Sequence, residues 1–191
     1  MRRASSARPK QISVKLSIPL FGEISGTWEP VDAERRAAWE LYVELVTRIA
    51  VQGLAPDDGL LREALSSHYS LFSTARDILR RYGPDVAPRR SAGHVSFGSL
   101  AVNVLNGALR PVLAQWHPRL AAYEATRAPH ADPVAHERAW PHAQELRDEL
   151  TAVRATLTQL ARALGEVSGA GDLMAERAAT DPQNSGGGVT S

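Results

Sequence analysis

The sequence predicts a mainly α-helical protein, an antiparallel four-helix bundle carrying an N-terminal β-hairpin, and three observations support that reading. From Phe97 to Leu113 the chain is apolar on nearly every side, through Leu100, Ala101, Val104, Leu105, Ala108, Leu109 and Val112. Such a helix belongs at the centre of a bundle or in a membrane. Asn103, Asn106, Arg110 and Pro111 interrupt it, so it lacks the ~20 unbroken apolar residues of a membrane span. Two other stretches, 61–82 and 146–167, repeat large or apolar residues at alternating steps of four and three, a heptad seam. Finally, Ile12, Val14, Leu16 and Ile18 alternate with Ser13, Lys15 and Ser17, the period of a half-buried strand.

Taken in order, residues 1–10 hold Arg2, Arg3, Arg8 and Lys10 with no acid, which reads as a disordered basic arm. No apolar run follows these arginines, so they do not form a signal peptide. In 11–29 the alternation resumes after Pro19-Leu20-Phe21-Gly22 with Ile24, Gly26 and Trp28, giving a hairpin. A hairpin alone is marginal in water. Its Ile, Val and Trp28 face is therefore expected on the first or third helix.

The first helix spans about 32–52, with Asp32 as N-cap. Trp39, Tyr42, Val43, Val46, Ile49 and Ala50 share its inner face, Glu34, Arg35, Arg36, Glu40, Glu44 and Arg48 its outer one, and Gly53 stops it. The second, about 57–82, has the seam Leu61, Leu65, His68, Phe72, Ala75, Leu79 and Tyr82 and ends at Gly83-Pro84. His68 in that seam reads as a hydrogen-bonded core residue. The loop DVAPRRSAGH is rich in Pro, Gly and basic residues and is expected to be mobile, with Arg80, Arg81, Arg89 and Arg90 as solvated surface. Ser96 caps the central helix, about 96–124. Pro111 clashes with the carbonyl four residues back; that residue is Gly107, so a kinked but continuous helix is expected. Trp116-His117-Pro118 reads as a second break. After the linker 125–132, Asp132-Pro133 opens a last helix, about 132–168, which Trp140-Pro141 kinks or restarts. The domain is thus 11–168, with 169–191 as a disordered tail. Trp28, Trp39, Trp116 and Trp140, on four segments, read as anchors of a shared core.

Composition removes several chemistries. A length of 191 residues suits one domain with tails. The net charge of +1 gives no overall pull toward nucleic acid or membrane. With no cysteine, disulfides, thiol catalysis and cysteine-held zinc are all excluded. His130, His136 and His142 are six apart, whereas helix-borne metal ligands need steps of three or four. No nucleophile elbow, zincin helix, phosphate loop or dinucleotide glycine pattern occurs. No catalytic residues, metal or cofactor are assigned.

One place reads as a ligand site. On a straight central helix Asn103, Asn106 and Arg110 fall within a ~60° arc at 100° per residue, and His117 extends the line. The sharp reading is an anion-recognising pocket in which Arg110 binds carboxylate or phosphate, the asparagines orient it and His117 lines the mouth. The bland reading is a solvent stripe, or an Arg110 paired with Glu63 or Glu124.

The blocks GTWEP (26–30), AAWELYVELVTRI (37–49), GLLREALSSHYSLF (59–72) and SFGSLAVNVLNGALRPVLAQWHP (96–118) resemble an uncharacterised family of bacterial intracellular helical proteins, over about 12–124. The resemblance implies a cytoplasmic, bacterial protein and points to an accessory component of a multi-gene defence or signalling system. The leading functional expectation is a non-enzymatic protein-interaction or adaptor module, using the hairpin edge or the leucine face of the last helix against a protein partner or a second copy of itself. Nucleic acid and membrane are not expected partners. The alternative is a ligand-sensing helical bundle with the anion pocket beside its central helix.

Overall fold

A computed structural model describes residues 9–19, 21–48, 60–171 and 173. The fold is mainly helical, with a small antiparallel hairpin at the N-terminal end. The hairpin pairs β1 (Ile12–Ile18) with β2 (Gly22–Trp28), in register from Ile12 opposite Trp28 to Ile18 opposite Gly22. Helices α1 (Asp32–Val46) and α2 (Leu61–Tyr82) follow. The central helix is α3 (Phe97–Val104), a π-helical turn at Leu105–Leu109, and α4 (Arg110–Glu124). A short α5 (Pro133–Arg138) and the long α6 (Ala143–Ser168) complete the chain.

The alternating face of β1 is buried, as is Trp28. β1 lies mainly along α6, which its apolar face alone did not suggest, while its Ile18 end meets Gly107 of the central helix and Trp28 of β2 bonds Glu34 of α1. Two polar contacts fix it there: Ser17 N–H donates to Gln159 Oε1 at 2.8 Å, and Thr156 Oγ1 donates to the Ser17 carbonyl at 2.6 Å. The leucine seam of α6 is the reason. Leu146, Leu150, Val153, Leu157, Leu160, Leu164 and Val167 are all buried, on a helix that packs chiefly against α1 and β1, so this seam is part of the core.

Several local expectations are corrected by long-range contacts. Glu34, placed outward by helical period, is fully buried. Its carboxylate accepts from Trp28 Nε1 at 3.1 Å, the Val31 N–H at 2.9 Å, the Phe97 N–H at 3.1 Å and Arg90 Nη2 at 2.7 Å. Two of those donors are backbone groups at helix starts, which have no partner within the helix. Arg90 is accordingly not solvated surface; its side chain is 18% exposed. The loop that carries it is laid against β2, where Thr27 N–H donates to Gly93 C=O at 2.8 Å and Val95 N–H to Thr27 C=O at 2.9 Å. Gly26 permits that approach, since a Cβ there would stand 2.8 Å from the Gly93 carbonyl oxygen. Trp39 goes the other way: it is 45% exposed, while Trp28, Trp116 and Trp140 are buried. Val31, not Asp32, is the N-cap of α1.

The proline breaks also differ. Pro111 is met by widening the preceding turn, with the Arg110 N–H donating to the Leu105 carbonyl five residues back, and the helix stays continuous. Pro118 does not break α4. Trp140-Pro141 does divide α5 from α6, while Ser96 and Asp132 cap as expected. Arg48 pairs with Glu44, and His68 is buried with Nδ1 on the Ala64 carbonyl at 2.7 Å. The expected stop at Gly53, and most of the basic arm and tail, lie outside the described residues. The chain past Ser168 still returns to α1, where Tyr42 OH donates to Gly171 C=O and accepts from Leu173 N–H.

Glu34→Ala leaves Arg90 buried without its counter-charge and strips four donors of their acceptor. It should cost about 3–5 kcal/mol in urea denaturation, and adding Arg90→Met should restore part of that. A loss below about 1 kcal/mol, the worth of a surface pair, would show that the junction does not depend on this carboxylate.

Candidate functional site

The N-terminal turn of α2 sets one side of the site. Its first free N–H groups are met from α5: Glu137, buried, accepts from Leu61 N–H at 2.8 Å and from Arg62 N–H at 3.4 Å. A carboxylate there satisfies unpaired donors and complements the helix dipole. Arg62 is thereby held against α4, where Nε and Nη2 grip both oxygens of Glu124 at 2.7–3.1 Å. Its Nη1 stands 2.9 Å from His117 Nδ1. A guanidinium only donates, so Nδ1 is the acceptor and the ring proton sits on Nε2. Burial is the main cause of a His117 pKa below 6.5, and the Arg62 charge adds to it. The Leu65 carbonyl and Glu124 act in the opposite sense. His117 is therefore neutral, locked in one tautomer, with its edge against Tyr69 (ring centroids 5.7 Å apart, planes at 80°).

Beyond that clamp, α2 and α4 leave an open groove of about 680 Å³ between them. α2 lines it with Tyr69, Phe72 and Arg76, and α4 with Arg110, Leu113, Ala114, His117 and Pro118. Tyr69 is 61% exposed. The Arg110 guanidinium carbon lies 6.0 Å from the centre of the Phe72 ring, within the range of a cation–π contact. Arg76 donates Nε to the Phe72 carbonyl at 3.1 Å. Among the described residues neither arginine has a carboxylate partner. The groove thus has an apolar floor and two uncompensated cations on its walls.

Of the four residues singled out in the sequence, the structure brings two together here, Arg110 and His117. Asn103 and Asn106 are exposed and stand outside the groove lining. The lining of the groove on this helix begins at Arg110, whereas Asn106 lies within the π turn at Leu105–Leu109 and Asn103 before it, so the polar line does not run along the cleft. Arg110 does not pair with Glu124, which Arg62 occupies, or with Glu63. His117 contributes a ring wall with both nitrogens turned inward, Nε2 being buried. Sequence reading missed Tyr69 and Arg76 and assigned Phe72 wholly to the core. Their steps of three and four along α2 are the signal that could have found them.

A second cleft, about 730 Å³, lies by Trp39 and is lined by Arg35, Arg36, Glu40 and Tyr82 among others. Much of its charge is already used: Arg35 binds the carbonyls of Val167 and Pro9, and Glu40 takes Arg81 and Tyr82. Among the described residues no cluster of three or more His, Cys, Asp or Glu could hold a metal ion, and no helix is long and apolar enough to cross a membrane. His136 instead stacks on Tyr123 (4.3 Å between centroids), and His142 is bonded to Glu145. No family model, no curated protein and no solved structure matches the chain.

Burial holds His68 as well as His117 below the ordinary histidine pKa of 6.5. Both take up a proton more readily in the unfolded chain, so stability is fully present above 6.5 and is lost as pH falls through that value toward the folded-state pKa. The melting temperature should therefore drop between pH 7.5 and about 5, and the drop should be shallower in the double variant His68→Asn/His117→Gln. Equal slopes in the two proteins would show that neither ring is kept neutral by the fold.

Proposed function

We propose that this chain is a non-enzymatic protein-interaction module, set on an antiparallel four-helix arrangement as one domain, and that its partner docks in the α2–α4 groove. The carrying observation is the combination in one open cleft of an apolar floor (Phe72, Leu113, Ala114, Pro118) with two arginines that no carboxylate neutralises among the described residues. Interfaces are enriched in Tyr, Phe and Arg and depleted in Lys, and Tyr69, Phe72, Arg76 and Arg110 are that set. The partner segment carries apolar side chains together with Asp or Glu. The groove replaces one of the surfaces first expected to serve, the α6 seam, which is spent on the core. An accessory role within a bacterial multi-gene system, in the cytoplasm, is the setting such a module suits. The volume also suits a small amphiphilic anion, which is the rival outcome of the test.

A photo-crosslinking amino acid at Ala114, in the native host, should trap a protein through a peptide containing acidic residues. Arg110→Glu should abolish that adduct. The same probe at exposed Asp85, away from the groove, should not form it. No adduct, or the same adduct from both positions, overturns the reading; an adduct with a small molecule alone supports the sensing alternative.

A further inference from the structure

The groove has a direction and a length, and together they specify its occupant. On one wall Tyr69, Phe72 and Arg76 stand at i, i+3 and i+7 of α2; on the other Arg110, Leu113, Ala114, His117 and Pro118 stand at i, i+3, i+4, i+7 and i+8 of α4. Each wall therefore runs two helical turns, about 11 Å at 1.5 Å per residue. Phe72 meets Arg110 and Tyr69 meets His117, so the two helices run in opposite senses along the cleft. Arg76, one turn beyond Phe72, falls at the same end as Arg110. One end is cationic, and the other is a tyrosine and a neutral histidine whose Nδ1 is already occupied by Arg62.

Resting on the reading of the groove as a protein-docking site, the geometry points to an acidic amphipathic α-helix as the docked segment, lying along the cleft with its carboxylates at Arg76 and Arg110. Three features favour a helix over an extended strand. The walls present ridges at three- and four-residue steps, which receive the matching ridge of a third helix. The groove offers no free backbone edge along which a strand could add, because both walls are helical. Its length accommodates the i, i+3/i+4, i+7 anchors by which a helix enters a cleft. The charge end is set by chemistry: Arg76 has Nε committed to Phe72 C=O, and Arg110 rests on the Phe72 ring. That leaves terminal guanidinium N–H groups for carboxylate oxygens, the planar match that makes such pairs strong. At the opposite end His117 brings no charge, so aromatic or aliphatic side chains fit against Tyr69 and Pro118.

The test uses the full chain and fluorescein-labelled helical peptides of about 14 residues, with Leu, Phe and Leu at i, i+3 and i+7 and two glutamates in either the first or the last turn. One of the two should bind, by fluorescence anisotropy, about tenfold or more tighter than its glutamine counterpart, a factor worth one charge-assisted contact. Arg76→Glu/Arg110→Glu should lose that peptide and gain one carrying lysines in place of the glutamates, a reversal that a misfolded variant cannot produce. If neither glutamate peptide exceeds its glutamine counterpart, or the charge-reversed protein binds both equally, the inference is overturned. If a peptide broken by a central proline binds as well as the helical one, the helical occupant is wrong while docking in the groove survives. Sodium dodecanoate that binds where all peptides fail removes both.

Discussion

A single buried carboxylate holds the structure's N-terminal junction together. Glu34 joins the end of the hairpin, the start of α1, the start of the central helix and the loop bearing Arg90. An ionised group taken out of water costs several kcal/mol unless its attraction and hydrogen bonds offset that cost. Here the offset comes from one guanidinium, one indole N–H and two backbone N–H groups at helix starts, where the dipole also favours negative charge. The geometry follows from that requirement. β2 ends at Trp28 close to where α1 begins, and Phe97 brings the central helix to the same point. The 85–94 segment has to lie back across β2 for Arg90 to reach, and Gly26 leaves the space for it to do so.

The central helix inherits its position from that junction and its shape from Pro111. Ser96 caps its first turn, exchanging hydrogen bonds with Ser99 at 2.9 and 3.2 Å. Nine residues past Ser96 the turn widens to i→i+5 to accept a residue without an N–H. Gly107 sits in that wide turn, and a Cβ on it would stand 3.1 Å from Ile18 Cγ2, so the hairpin tip is packed onto the one irregular turn of the helix. The widened turn sets where Arg110 begins the regular helix beyond it. The groove is thus held at its cationic end by the packing of the hairpin on the widened turn and at its opposite end by the Arg62–Glu124–His117 clamp.

Period and punctuation made the elements readable from the sequence. Alternation marked both strands, steps of four and three marked α2 and α6, and Ser96 and Asp132 announced helix starts. What period could not show is where a charged residue finds its partner. Glu34 occupies an outward position in the simple wheel of α1, yet it bonds Phe97 across 63 positions in the chain. Glu137 meets Leu61 across 76, and a capping group supplied from another element has no local signature. The site was half readable for the same reason. Arg110 and His117 share a helix, so their spacing was visible. The second wall belongs to α2, and only the packing of α2 on α4 makes Tyr69, Phe72 and Arg76 their neighbours.

That packing also explains why the groove's charge is informative. The chain has 22 basic and 21 acidic residues, so arginines without carboxylates are not forced by a shortage of acids. Around the groove the acids are placed with economy: Glu124 is gripped by Arg62, and Glu137 caps α2. Among the described residues, Arg76 and Arg110 are left without a carboxylate on walls that also carry exposed Tyr69 and half-buried Phe72. A solvated arginine on an apolar floor gains little from water-facing contacts beyond a cation–π interaction of about 0.5–1 kcal/mol. In a closed interface, the same guanidinium facing a carboxylate gains a charge-assisted pair while the apolar floor supplies the burial. The two features reinforce each other only when the ligand carries both, and the electrostatic half then governs which partner is chosen and how fast it arrives.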